Sequence, residues 1–94
     1  MKHSALFEKC LSDVNSEVRI EVWMNIEIAN RISYLLKDMK ISQRDFANRL
    51  GKKESEISRW LTGKYGFTTK SLARISAVLG RPIIEVSRTK NYKG

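Results

Sequence analysis

The stretch that most constrains this chain is residues 42–63, SQRDFANRLGKKESEISRWLTG. It holds two short helical patterns joined by a tight corner. In the first, Ser42 has the side chain of an N-cap, and Phe46, Ala47 and Leu50 share one face at helical spacing. Gly51 follows at once, as suits a residue that closes a helix at positive φ. The second pattern runs from about Glu54 to Leu61, with Ile57, Trp60 and Leu61 apolar and Gly63 as its stop. With only Gly51, Lys52 and Lys53 between them, helices this short cannot lie antiparallel, so they cross steeply.

Steep crossing across a tight corner is the helix-turn-helix arrangement. It leaves Glu54, Ser55, Ser58 and Arg59 on the face of the second helix turned away from Ile57 and Leu61. Such a face fits the major groove of DNA. Charge placement points the same way. Residues 1–39 carry five Lys/Arg against six Asp/Glu, whereas residues 40–94 carry thirteen against four, within an overall net charge of +8. A basic surface alone is as consistent with simple solubility as with a polyanion partner. Its coincidence with the motif favours nucleic acid.

Gln43, Ala47, Gly51, Glu56, Ile57, Ser58, Trp60 and Gly63 together resemble the Xre-type, lambda-repressor-like helix-turn-helix family. The resemblance covers roughly residues 26–80, and the wider string from Ile41 to Gly80 is most similar to the small antitoxin and transcription-regulator branch. It implies that Glu54, Ser55, Ser58 and Arg59 read bases. Arg59 leads, because a guanidinium pairs with guanine O6 and N7. Glu54 either accepts from cytosine N4 or is a first-turn acid suited to the helix dipole. The same resemblance makes Gln43 a phosphate contact. Helix N-termini offer open amides, which extends the phosphate set to Ser42 and Arg44, and to Thr69 and Lys70 at the next helix start. Lys52, Lys53 and Lys64 complete that set from the corner and the following loop. Ala47 reads as a small residue that lets the helices approach, Trp60 as core, and Glu56 as a structural acid paired with a nearby lysine.

The flanks are less decisive. Leu6, Phe7, Cys10, Leu11 and Val14 give residues 1–15 a weak helical face, to be covered by the chain's own core or by a partner. Asn15 and Ser16 then mark a corner or cap. From Glu17 to Lys40, Ile28, Ala29, Ile32, Leu35, Leu36 and Met39 form one buried face, continued upstream by Val18 and Val22. Asn25 can cap a fresh helix at Ile26 and divide this stretch. Residues 20–28 are apolar almost all round, which suggests burial on every side, in a subunit interface or beneath residues 1–14. Beyond the motif, Lys64 and Tyr65 are expected exposed on a loop, with Phe67 as a core plug. Thr68 or Thr69 caps a helix carrying Leu72, Ile75 and Leu79, which Gly80 ends. Pro82 follows, and residues 83–86 have strand composition but no partner in sight. Residues 88–94 read as a basic tail.

The expected fold is therefore all-α: a compact helical bundle around a central helix-turn-helix, with an extra N-terminal helical segment and a short C-terminal strand as a further element. Its parts are an extension at 1–25 serving as a dimer or partner surface, a DNA-binding domain at 26–80, and a strand and tail at 81–94. Cys10 is the sole cysteine and His3 the sole histidine, so neither a disulfide nor a metal cluster is expected, and no cofactor is implied. No nucleophile has an evident base, which argues against an enzyme. The absence of an apolar leader or spanning run points to the cytoplasm and away from membranes. The expected function is a transcriptional repressor, in its favoured form an autoregulating antitoxin. It acts as a homodimer on an inverted-repeat operator in double-stranded DNA, with a toxin as a further partner. The competing reading is a protein-interaction module that clamps a toxin or bridges transcription factors.

Overall fold

The computed structural model describes Glu8, Lys9, Leu11 and residues 15–87. Over residues 15–87 it has four helices: α1 at Ser16–Asp38, α2 at Gln43–Leu50, α3 at Glu54–Trp60 and α4 at Thr69–Leu79. The remaining readings on residues 1–14 and the tail at 88–94 lie outside the described residues.

Helix ends follow local chemistry. Ser42 caps α2 from an extended backbone, its hydroxyl accepting the Asp45 amide at 3.0 Å. Thr68 caps α4 in the same way through the Ser71 amide at 3.1 Å. Gly51 and Gly80 close α2 and α4 at φ 68° and 67°, where a side chain would be strained. The end of α1 departs from this pattern, because the left-handed residue there is Lys40 at φ 57°. The Ile41 amide bonds back to the Leu36 carbonyl at 2.8 Å and holds the reversal.

One core lies between the helices. Ile28, Ile32, Leu35 and Leu36 of α1 meet Phe46, Ala47 and Leu50 of α2, Ile57 and Trp60 of α3, and Leu72, Ile75 and Leu79 of α4. Phe46, Ile32, Leu35 and Ile57 are sealed from solvent. The buried stripe of α1 starts only at Ile28, whereas the helix begins twelve residues earlier. At 1.5 Å per residue that leaves a leading stretch, or overhang, of about 18 Å, on which Ile26 backs onto Gly63 and Ile20 and Trp23 are half-buried.

Two expectations need correction, and a third keeps only its subunit-interface alternative. Asn25 does not divide the long segment: α1 runs unbroken through it, since no glycine or proline interrupts 16–38 and propagating a helix is easier than nucleating another. Residues 20–28 are not buried on every side within the chain. Val22, Met24 and Ile26 are 49%, 48% and 43% exposed, and Val18 upstream is 60% exposed. Residues 83–86 form no strand. Ile83 instead plugs the core at 6% exposure, its amide donating to the Ser76 hydroxyl at 3.3 Å. Two links fold this segment back on α1: Arg31 donates two bonds to the Pro82 carbonyl, and Arg81 lies 3.7 Å from Asp38. A strand needs a neighbour along its length, and none is present among the described residues.

Candidate nucleic-acid interface

The interface is built upward from two helix starts and the corner between them. At the start of α2, Ser42 engages the Asp45 amide through its side chain and the Phe46 amide through its carbonyl. The helical ladder gives no partner to the amides of Gln43 and Arg44, which form the positive end of α2. Both side chains are exposed. Thr69 and Lys70 hold the matching exposed positions in the first turn of α4. These are two anion-receptive ends of the kind expected for phosphates.

The corner is tightly tied. The Lys52 amide bonds to the Ala47 carbonyl at 2.9 Å, while Ala47 itself is 2% exposed between the helices. From α4, the Arg74 guanidinium reaches the Leu50 carbonyl at the end of α2. This satisfies a carbonyl that the end of the helix leaves open, and it fixes α4 against the corner. Arg74 escapes a sequence reading because its role depends on a partner 24 residues away.

Glu56 organises the start of α3. One carboxylate oxygen accepts the Lys53 amide at 3.2 Å, and the other lies 3.9 Å from the Lys52 ammonium. That ammonium also sits 5.6 Å from the centre of the Trp60 ring. Glu56 is thus the structural acid expected of it. Lys52, read from sequence as a phosphate contact, is half-buried and held toward Glu56 and Trp60, whereas Lys53 is exposed.

On α3, Ile57 and Trp60 are buried, and Glu54, Ser55, Ser58 and Arg59 all lie on exposed positions. One bond joins this face to α2: the Ser58 hydroxyl donates to Gln43 Oε1 at 3.0 Å. Residues that the sequence assigned separately to bases and to phosphate therefore meet across the two helices.

After α3 the chain turns at Thr62, whose hydroxyl donates to the Arg59 carbonyl at 2.7 Å and accepts the Lys64 amide at 3.2 Å. Lys64 is exposed, as expected. Tyr65 is half-buried rather than exposed, packed with its ring centre 5.5 Å from Trp60, and Phe67 completes the trio at 5.8 Å from Trp60. Aromatic burial outweighs the loop's freedom here. Arg44, Lys53, Arg59, Lys64 and Lys70 are exposed cations on these elements, as are Arg49 on α2 and Arg74 on α4. Such a surface offers donors and positive charge to phosphates and a polar helix face to base edges.

A family model described as helix-turn-helix matches residues 32–86, more than half of the chain. No curated protein and no solved structure matches it.

Proposed function

From a chain that belongs to the Xre-type, lambda-repressor-like helix-turn-helix family, and is thus a DNA-binding transcriptional regulator, we propose a sequence-specific repressor that works as a homodimer on an inverted-repeat operator. The observation that carries this reading is α3 itself. Its inner face is locked into the core by Ile57 and Trp60, and its outer face presents Glu54, Ser55 and Arg59 on exposed positions. Arg59 takes a guanine, and Ser55 and Glu54 tune the neighbouring bases. The amides at the starts of α2 and α4, with Arg44, Lys53, Lys64 and Lys70, grip the backbone on either side.

One short helix spans only a few base pairs, so a twofold pair is needed for a useful site. The exposed apolar side chains on the α1 overhang support such a mate. Within this class, an autoregulating antitoxin is the favoured subtype, on the chain's likeness to that branch. The same overhang favours the second reading, a module that binds a partner protein, since it can seat either occupant.

Selection of duplexes from a random pool tests the proposal. The winners should share two inverted half-sites about one helical turn apart. Enrichment of no motif, or of a single undivided half-site, would contradict it.

A further inference from the structure

Resting on that DNA-binding reading, we propose that Ser58 is a positioning residue: it orients Gln43 for a phosphate and does not itself read a base. Gln43 is the first residue of α2 and Ser58 lies on the outer face of α3, fifteen residues on, with Ser58 Oγ and Gln43 Oε1 3.0 Å apart. Both are exposed, so burial does not demand the bond and water can satisfy either group. What the bond does is choose which end of the Gln43 amide faces outward.

A glutamine amide has an accepting oxygen and a nitrogen with two donors, whereas a serine hydroxyl can donate or accept. Were Ser58 to accept from the nitrogen, the Gln43 oxygen would point outward and repel a phosphate. With Ser58 donating to Oε1, the NH2 group points outward instead. It then joins the amides of Gln43 and Arg44 at the positive end of α2. A phosphate at this end selects that second arrangement and commits the Ser58 proton to Gln43.

The consequence is mechanical. Ser58 lies one helical turn from Glu54 and Ser55 on α3. Gripping the phosphate through Gln43 therefore sets how α3 is seated relative to the backbone, whatever the bases. Ser58 thereby contributes to affinity on every sequence, and discrimination falls to Arg59, Ser55 and Glu54.

The test is a double-mutant cycle with Ser58→Ala and Gln43→Ala. Binding is titrated on a duplex selected from a random pool and on its scrambled counterpart. Ser58→Ala should weaken both by the same factor, roughly three- to tenfold, the range covered by one neutral hydrogen bond. The double variant should bind no more weakly than Gln43→Ala alone. Ser58→Thr, which keeps the hydroxyl, should recover most of the loss, with melting temperature and salt dependence unchanged throughout. A loss confined to the selected duplex, or losses that multiply in the double variant, would overturn the inference and make Ser58 a reader of bases. Wild-type protein that binds neither duplex would instead overturn the DNA-binding reading and this inference with it.

Discussion

At Gly63 two constraints meet. Its φ is 80°, and a Cβ built there would lie 3.0 Å from Ile26 Cγ1 and 3.3 Å from the Ile26 backbone. Gly51 shares the left-handed conformation at φ 68°, but its nearest neighbour would be 3.9 Å away, at the tip of Arg74. Gly51→Ala should therefore cost about 1–2 kcal/mol from backbone strain alone. Gly63→Ala should cost about 1–3 kcal/mol more, because α1 must shift as well. Urea melts of the two variants measure the difference, and equal losses would show that Ile26 yields freely. Both glycines are legible as helix stops, but the close approach to Ile26 is not, since it joins residues 37 apart. Lys40 is the converse case: no local signal marks it as left-handed, and tertiary packing of Ile41 imposes the turn. Lys40→Gly should leave stability equal or raise it by up to about 1 kcal/mol. At the interface, Arg59→Ala should cost roughly 1–3 kcal/mol on the selected duplex and much less on scrambled DNA. Equal losses on the two would make Arg59 a backbone clamp.

Among the helices, those with capped starts and glycine ends could be read almost to the residue. Ser42, Gly51, Thr68 and Gly80 act within four residues of their own positions, so sequence carries their whole effect. The start of α3 at Glu54 is equally legible, but its cap is not, because Lys53 is an unusual cap and the work passes to Glu56. Glu56→Ala should destabilise the protein by about 0.5–1.5 kcal/mol, most of it from the lost amide bond. The Lys52 pair is 32% and 41% exposed at its two ends and contributes little of that. Raising the salt in the melts separates the two, since only the ion pair is screened. A loss that vanishes at high salt would assign the effect to Lys52. The unpaired segment at 83–86 misled because β-branched composition describes a half-buried surface, and one buried side chain, Ile83, satisfies most of that need.

For the molecule as a whole, charge and apolar surface divide the labour. No helix among the described residues is long and apolar enough to cross a membrane. The core half of α1 supports the helix-turn-helix, and the overhang exposes Val18, Val22, Met24 and Ile26. Sequence showed this region to be too apolar for a free surface; it could not show whether the chain itself would cover it. Sedimentation should find a dimer at tens of micromolar, and Val22→Glu should shift it toward monomer with the helix-turn-helix intact. A wild-type monomer would remove the overhang as the dimer surface. The central claim, that α3 reads sequence while its neighbours hold the backbone, is tested most directly by one set of titrations. Selected and scrambled duplexes are compared over a range of salt concentrations. The account predicts tighter binding to the selected duplex at every salt, with log K falling linearly in log salt for both, and a slope smaller by about 0.9 per subunit in Lys64→Ala. Equal affinity for the two duplexes, or affinity indifferent to salt, would contradict it.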